Sequence, residues 1–476
     1  MSFTSEASIV VEALERYGAE SVSRSRPVIR LTPMNEIIEE LDLARWVSEG
    51  GLNGEALRAF LERYLAATTR LQHPSYLAHQ VAVPHPTGAL AALVDGFTNN
   101  PMGIYEMGPA AATIEFFMVN WLLERVGWTP QPVPGAAGNG ADAAAPHGAG
   151  VLTHGGSLAN LTALAAARSH AVPSAWEDGS PPGLALIAPA SSHYSVARAA
   201  GILGIGSRAI YHAEVDTRDV IRVDRLPALL DRVLQDGRRP VALVANACGT
   251  AVGTYDPLRE IGAFCRERGL WFHVDGAHGA TALLSPKHRH RLDGVETADS
   301  LVWDAHKMMR APGVCAAVLV RDRRTLDGAF QQEASYLFHE KHQPGFDFMH
   351  RSVECTKAGL GLKIFAVLAA LGERGLADYV DGRFALAREA CEHIRTVPGF
   401  ECPVEPESNI LCFHAPGDDA EQIRLRDRLI ADGDFHLSTT LFRNRRHLRL
   451  VFMHPESSMD DVRRLMARLR ELQAEP

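Results

Sequence analysis

The sequence lacks the features that mark membrane and nucleic-acid-binding proteins. No apolar run approaches the ~20 residues that a membrane-spanning helix needs, so no membrane association is expected. The net charge is −9, no block of like charge occurs, and the one basic cluster, at 443–446, is short. Nucleic-acid binding is therefore not indicated. With 476 residues, of which 46% are hydrophobic and 22% charged, the chain can instead bury a large core.

Cysteines with the spacing of a metal or redox site are also missing. The seven cysteines form no CxxC motif, their number is odd, and several lie in apolar runs. A free thiol in such a run behaves as a small hydrophobic group. Disulfides are rare in reducing compartments, and the acidic stretch from Met1 to Glu20 does not resemble a secretory signal. We therefore expect a cytoplasmic protein.

From residue 151 onward, short continuous apolar runs alternate with helical segments. This pattern is typical of a mostly parallel sheet with helices on both faces, whose ligands gather at the carboxyl ends of the strands. We therefore predict an α/β protein with a helical N-terminal segment (1–75), a large α/β domain (76–365) and a small α+β C-terminal domain (366–476). The Pro-, Gly- and Ala-rich stretch 130–150 is expected to be an exposed insertion.

Two of the apolar strands lead into residues that together indicate a cofactor. One strand ends at Asp275, and a later strand runs into the segment from Asp304 to Lys307. Pyridoxal 5'-phosphate needs an amine that holds it as a Schiff base and a carboxylate that keeps its ring nitrogen protonated. Either residue alone is more often a helix cap, a turn residue or a solvated charge. The pair, supported by further motifs, predicts a site for this cofactor.

A glycine-rich turn and a histidine provide that support. The run from His154 to Ser157 has two glycines at the start of a helix, where backbone N–H groups and the helix dipole favour a phosphate. The alternative is a plain helix cap. The run is neither a P-loop nor a GxGxxG motif, and the GxSxG of serine hydrolases is absent. His193, after the strand at 184–188, could cover a ring face or could be an ordinary surface histidine.

The sequence also contains a spacing that resembles a metal site and an arginine that could bind substrate. His273, Asp275 and His278 have a spacing that resembles metal ligands, but on a strand only the first two share a face, and no further ligand completes the set. No metal is therefore expected. Arg449 shares a strand face with apolar residues, so it needs a partner. A substrate carboxylate suits its planar guanidinium, while the alternative is an edge-strand arginine that reaches solvent.

Taken together, the motifs resemble those of the pyridoxal-phosphate-dependent group II amino acid decarboxylases. The resemblance extends from about His73 to the C-terminus, and the motifs occur in the family's order: His73–Gln80, Tyr105–Pro109, Gly155–Ser157, His193–Ser195, His273–Ala277, Asp304–Lys307 and Leu448–Val451. It implies a fold-type-I, transferase-like homodimer with active sites at the subunit interface. The implied reaction is decarboxylation of an L-amino acid to an amine and CO2, which makes the protein a lyase.

The resemblance also implies roles for individual residues. Lys307 would form the Schiff base, Asp275 would pair with the ring nitrogen, and His193 would stack on the ring. The other cofactor contacts would be phosphate contacts of the glycine-rich turn, a nearby histidine, and a small residue under the ring: Gly156, Ser157, His306 and Ala277. The substrate would meet three further residues: His79, Gln80 and Arg449.

The sequence departs from the family in the stretch 336–346. Many members carry there a tyrosine that protonates Cα after CO2 has left, and none stands at the expected place. His339 or His342 could serve instead, because imidazole transfers protons near neutral pH. If protonation is not prompt, reaction with oxygen would give an aldehyde by oxidative deamination. Transamination, and a non-catalytic cofactor-binding protein, are further alternatives, and the sequence does not name the amino acid.

Overall fold

The computed structural model describes residues 2–135, 146–331 and 345–475. These residues fall into two compact units, Met1–Val83 with Arg383–Pro476, and Pro84–Gly382. The N-terminal and C-terminal segments belong to one unit because the backbone is hydrogen-bonded between them, for example from Val28 N to Gly433 O (2.8 Å). The three-part domain division drawn from the sequence stays a prediction.

The unit Pro84–Gly382 is built on a seven-stranded sheet. Its strands are β1 (Ala149–Thr153), β2 (Leu184–Pro189), β3 (Ile210–Ala213), β4 (Arg239–Asn246), β5 (Trp271–Asp275), β6 (Ser300–Asp304) and β7 (Ala316–Val320). The spatial order is β1-β7-β6-β5-β4-β2-β3. Only β7 runs antiparallel to its neighbours, β1 and β6. The predicted mostly parallel α/β sheet is confirmed.

The described residues also form α-helices. They are α1 (Phe3–Val22), α2 (Met34–Glu40), α3 (Leu43–Glu49), α4 (Gly54–Ala67), α5 (Pro86–Thr98), α6 (Pro109–Val126), α7 (Gly156–Ala171), α8 (Tyr194–Ile202), α9 (Leu226–Gln235), α10 (Leu258–Arg268), α11 (Arg323–Asp327), α12 (Gly361–Thr396), α13 (Asp419–Asp432) and α14 (Met459–Ala474). Helix α12 is interrupted at Gly372, whose φ of +67° is left-handed. Within the described ranges, no helix has both the length and the apolar character required to cross a membrane.

Small side chains bring helix α7 close to the sheet. Ala159, Ala163, Ala166 and Ala167 are fully buried in the same core as the apolar residues of the strands. Every residue of β1, β2, β5, β6 and β7 is buried, as expected for strands that are covered on both faces. Because alanine adds little bulk, the start of α7 lies directly against the end of β6.

The unit formed by the N-terminal and C-terminal segments contains a second, smaller sheet. Its antiparallel strands are β8 (Ile410–Phe413), β9 (Ser438–Phe442) and β10 (Arg445–Val451), in the order β8-β10-β9. Apolar residues of this sheet share a core with residues of α12, α13 and α14. The small C-terminal α+β region is confirmed, and the central position of β10 decides the environment of Arg449.

Candidate active site

The carboxyl edge of the large sheet collects most of the predicted cofactor residues. Strand β5 ends at Asp275, β6 ends three residues before Lys307, and β2 is followed by His193. Gly156 follows β1 at the start of α7. Because the carboxyl ends of these strands lie at one edge, residues far apart in the sequence face the same space.

Asp275 is a buried carboxylate with a donor on each oxygen. Only 7% of the residue is exposed. Its Oδ2 accepts a hydrogen bond from Asn160 Nδ2 (3.0 Å), and its Oδ1 accepts one from the backbone N–H of Ala277 (3.2 Å). One side-chain donor and one backbone donor therefore hold the Asp275 carboxylate in place at the end of β5.

The side-chain amide of Asn160 connects Asp275 to two other site residues. Its Nδ2 also donates to Ser195 Oγ (2.8 Å), and its Oδ1 lies 2.9 Å from His273 Nε2. Both amide hydrogens and the amide oxygen are therefore used, which fixes the orientation of the amide. No role was predicted for Asn160, although its position four residues after Gly156 puts it on the same helix face.

His273 completes this arrangement behind Asp275. Burial lowers the pKa of His273 to about 4, so the ring is neutral at pH 7. Since Asn160 Oδ1 is an acceptor, Nε2 carries the ring proton, and Nδ1 accepts from Ser300 Oγ (2.8 Å), which itself accepts from Trp271 Nε1 (2.9 Å). We call Asn160, Ser195, Trp271, His273, Asp275 and Ser300 the Asn160 network.

His193 lies at the start of α8 with a fixed ring. Its Nδ1 accepts from the backbone N–H of Ser195 (3.3 Å) and lies 2.8 Å from Ser195 Oγ. Burial lowers the pKa of His193, and the nearby charges of Asp275 and Lys307 act on it in opposite directions. The imidazole is therefore neutral near pH 7 and shares its surroundings with the predicted carboxylate and the predicted lysine.

Lys307 follows β6 and pairs with Asp304. Its Nζ lies 3.1 Å from Asp304 Oδ2, and its backbone N–H donates to Asp304 O (3.2 Å). His306 is held by the backbone of Cys315, whose carbonyl lies 2.8 Å from His306 Nδ1. His306 Nε2 lies 3.6 Å from Asp304 Oδ2. The structure thus adds a buried carboxylate, Asp304, that the sequence had not assigned to the site.

The start of α7 offers backbone N–H groups close to this carboxylate. Gly155 has a φ of +96°, which favours glycine, and the helix that follows has no side-chain cap in the described part of the chain. A Cβ atom at Gly156 would lie 2.6 Å from Asp304 Oδ2, so a side chain there would displace this carboxylate. Ser157 lies in the first turn. An uncapped helix start is suited to a phosphate group.

These donors fit pyridoxal 5'-phosphate. An amine, a fixed carboxylate, a neutral imidazole and an uncapped helix start are the groups that this cofactor requires. Over the ranges that the structure describes, no cluster of three His, Cys, Asp or Glu side chains could hold a metal ion. His273 bonds instead to Asn160 and Ser300, and it shares a face with Asp275 as predicted.

The predicted substrate residues lie together in the unit formed by the N-terminal and C-terminal segments. Arg449 is only 6% exposed, and its Nη2 donates to Gln80 Oε1 (3.1 Å) while its Nη1 donates to Ala78 O (3.2 Å). Because β10 is the central strand, the alternative of an edge-strand arginine in solvent is wrong. Burial, followed by the charge of Arg449, lowers the pKa of His79.

His436 is a further residue of this cluster that no sequence motif indicated. Its ring lies edge-on to the rings of Tyr76 (5.3 Å) and His79 (5.7 Å). Burial, with a contribution from His79, lowers the pKa of His436 to about 4. The predicted proton donors His339 and His342 lie outside the described residues.

Known proteins with a matching fold and a matching family model identify the class and the family of this chain. The chain has the fold of pyridoxal-phosphate-dependent decarboxylases: it matches the crystal structure of mouse CSAD in apo form with a TM-score of 0.85, at 26% identity over 99% of each chain. The family model described as "Pyridoxal-dependent decarboxylase conserved domain" matches residues 61–416. The chain belongs to the pyridoxal-dependent decarboxylase family.

Individual relatives agree with this assignment. Cysteine sulfinic acid decarboxylase of Rattus norvegicus is 30% identical over 413 residues, which are 85% of this chain and 79% of the relative. Acidic amino acid decarboxylase GADL1 of Mus musculus is 29% identical over 405 residues, 84% of this chain and 70% of the relative. The protein is thus a lyase that removes CO2 from an amino acid and uses pyridoxal phosphate as its cofactor.

Proposed function

We propose that this decarboxylase acts on an acidic L-amino acid, and that Lys307 carries the cofactor. The observation that carries the assignment of Lys307 is its place at the carboxyl edge of the large sheet, three residues after the end of β6 and at the same edge as His193 and Asp275. An amine, an anion and a neutral ring that face one space are what this cofactor needs.

Bound pyridoxal phosphate supplies a positively charged ring that accepts the electron pair released when the bond from Cα to the carboxylate breaks. Asp275, held by hydrogen bonds from Asn160 and from the Ala277 backbone, would keep the proton on the ring nitrogen. His193 would pack on the ring, and Ala277 would lie beneath it. Gly156 and Ser157 would bind the phosphate at the start of α7, with His306 beside them.

The substrate class is proposed from the relatives and from Arg449. The relatives named above act on acidic amino acids and on cysteine sulfinic acid, which carry a second anionic group. A buried guanidinium held by Gln80 and Ala78 is a suitable partner for a carboxylate or sulfinate. His79 and Gln80 then contribute to the substrate pocket beside Arg449.

The proton that replaces CO2 is proposed to come from His339 or His342. The amine is then the product, because Cα is protonated before oxygen can react. Amine formation without oxygen consumption would support this proposal. Release of aldehyde, peroxide and ammonia would favour oxidative deamination instead.

We also propose that the protein is a cytoplasmic homodimer. Helix α5 exposes an apolar stripe with helical spacing: Leu90, Leu93, Val94 and Phe97. An apolar stripe of this kind is typical of an interface, and a second copy of the chain is the proposed occupant. No disulfide links any of the seven cysteines, all of which lie in the described ranges, and this supports a reducing compartment. Sedimentation of the purified protein tests the oligomeric state.

The decisive experiment is a substrate screen with spectroscopy. Protein purified with pyridoxal phosphate should absorb near ~420 nm, the usual region for this cofactor bonded to a lysine. It should release CO2 from glutamate, aspartate or cysteine sulfinate, and not from diaminobutyrate, which carries a second amine. Release from diaminobutyrate or aromatic amino acids alone would overturn the proposed substrate class.

A further inference from the structure

The carboxylate of Asp304 has an unusual position for a buried charge. Only 1% of the residue is exposed. Among the described residues, its Oδ1 has no hydrogen-bond partner, and its Oδ2 lies 3.1 Å from Lys307 Nζ. A buried carboxylate without compensation is costly. The ammonium group of Lys307 is therefore the principal compensation for this charge.

Asp304 lies inside the candidate site, and the titratable groups around it come from several elements. Helix α7 approaches it at Gly156, and His306 Nε2 lies 3.6 Å from its Oδ2. From the other elements, the charge of Asp304 acts on the His193 imidazole of α8 and on the Cys315 thiol before β7. Asp275 at the end of β5 acts on His193 as well. None of these groups carries a full positive charge at 3.1 Å, as Lys307 does.

We propose that Asp304 is the counter-ion that holds Lys307 as an ammonium ion, folded back on its own turn, whenever this lysine is not bonded to the cofactor. The backbone hydrogen bond from Lys307 N to Asp304 O (3.2 Å) forms the turn that brings the two side chains together. Asp304 is a positioning residue in this proposal. It keeps the free lysine in one place and makes it a poorer nucleophile until the amine is needed.

The inference rests on the proposed role of Lys307 and deepens it. A lysine that holds the cofactor must leave when the amino acid binds and must return after the product forms. An ammonium ion cannot attack an aldehyde, so its counter-ion influences the pH at which the lysine recaptures the cofactor. Removing an opposite charge at this distance makes the charged form less favourable.

The test measures capture of pyridoxal phosphate by protein stripped of cofactor, as a function of pH. The rate of the absorbance rise near ~420 nm is compared for wild type and Asp304→Asn, which keeps the side-chain shape. The midpoint of the pH–rate profile should move to lower pH by about 1–3 units in the variant. Superimposable profiles would overturn the proposal.

A matched control comes from the other end of the same strand. Asp299 directly precedes β6 and is also paired, with Arg321 Nη2 at 2.6 Å and with the backbone N–H of Phe272 at 2.8 Å. Asp299→Asn should leave the capture profile of the wild type unchanged. An equal shift in both variants would point to a general charge effect and would contradict a specific pair.

A second measurement uses the wild-type chain only and stays informative if Asp304→Asn does not fold. Competitive acetylation of the stripped protein reports how the reactivity of each lysine depends on pH. Lys287 is the comparison, since it pairs with Asp381 at 2.9 Å but is 74% exposed. Adding 0.5 M salt should change the Lys287 profile and leave the Lys307 profile unchanged, because buried pairs are screened less.

A Lys307 profile that shifts with salt as much as the Lys287 profile would mean that no buried ion pair holds Lys307, and it would contradict the counter-ion. The proposed role of Lys307 and the proposed counter-ion role of Asp304 can be tested separately. If the wild type does not capture pyridoxal phosphate at all, the proposed role of Lys307 fails, whereas normal capture with an unchanged Asp304→Asn profile removes only the counter-ion.

Discussion

The ends of the neighbouring strands β5 and β6 each carry a buried carboxylate, and the two differ in what surrounds them. Asp275 receives a hydrogen bond on each oxygen, from Asn160 and from the Ala277 backbone. Asp304 has one oxygen without a partner among the described residues, and the other faces Lys307. The first carboxylate is fixed by groups that do not react, whereas the second depends on the residue proposed to react. An aspartate at the end of a strand can therefore serve either as a fixed partner for the cofactor or as a counter-ion for the lysine.

The largest effect is expected from Lys307→Ala, because this change removes the amine that pairs with Asp304 and that is proposed to bond to the cofactor. Turnover should fall by about 10⁴-fold or more, as when a central covalent residue is removed, and the absorbance near ~420 nm should be lost. Assays of CO2 release together with spectra measure both. Lys287→Ala, at an exposed ion pair, should keep the activity and the spectrum. Wild-type turnover by Lys307→Ala would end the assignment.

The second-largest effect is expected from Asp275→Asn, which removes the charge of the carboxylate that accepts a hydrogen bond on each oxygen. Removing one member of a buried charge pair costs about 3–5 kcal/mol, so kcat should fall by about 10²–10⁴-fold at 1.36 kcal/mol per decade. The protein should still bind the cofactor, because Lys307 is intact. Steady-state kinetics and a cofactor titration would separate the two effects.

Asp256 provides the control for a buried carboxylate that does not face the proposed cofactor site. It accepts hydrogen bonds from the backbone N–H groups of Asn246 (2.7 Å) and Ile221 (2.8 Å), and burial raises its pKa to about 7. Asp256→Asn should therefore change kcat much less than Asp275→Asn, although it can lower stability by removing an acceptor. Equal losses in kcat for Asp256→Asn and Asp275→Asn would mean that the loss in Asp275→Asn comes from removing a buried carboxylate and not from its proximity to the cofactor ring.

The comparison also shows what the sequence could and could not reveal. Asp275, Lys307 and His193 follow apolar strands directly, so a local pattern located them, and the strand positions in the large sheet agree with the predicted runs. The antiparallel direction of β7 and the order of the strands depend on tertiary packing. The partners of Asp275 depend on it too, since Asn160 and Asp275 are 115 residues apart. No local pattern encodes a contact over that distance.

Arg449 illustrates the same limit in the smaller sheet. The sequence left two interpretations open, a buried arginine with a partner and an edge-strand arginine in solvent. Alternation of residues along one strand cannot distinguish them, because the answer depends on which strands lie on either side. The order β8-β10-β9 makes β10 central and buries the guanidinium beside Gln80.

The third prediction weakens the support of Asp275 without removing its charge. Asn160→Ala deletes the donor to Asp275 Oδ2 and the bond to Ser195. A hydrogen bond to a charged group contributes about 1.5–3 kcal/mol, so kcat should fall by about 10–100-fold, less than for Asp275→Asn. Asn120→Ala, which also deletes an amide with hydrogen bonds in the same unit, should leave kcat unchanged. A loss of stability with unchanged kcat would reduce Asn160 to a structural residue.

The last prediction concerns the pH dependence of stability and comes from His273, which lies behind Asp275 in the Asn160 network. Its ordinary pKa of 6.5 is lowered to about 4 by burial, so the unfolded chain binds a proton at a higher pH than the folded chain does. The stability contributed by the neutral ring is thus fully present above pH 6.5 and is lost as the pH falls toward 4. The full difference corresponds to about 3 kcal/mol.

Replacing His273 with Asn should remove this pH dependence, because asparagine does not titrate. The thermal midpoint of the wild type should therefore fall more steeply than that of His273→Asn between pH 6.5 and pH 4.5, so that their difference narrows with acidification. His290→Asn, at an exposed histidine, should keep the wild-type slope. Parallel curves for His273→Asn and wild type would mean that the ring is already protonated in the folded chain. In that case His273 Nδ1 could no longer accept from Ser300, and the orientation of the Asn160 network would need another explanation.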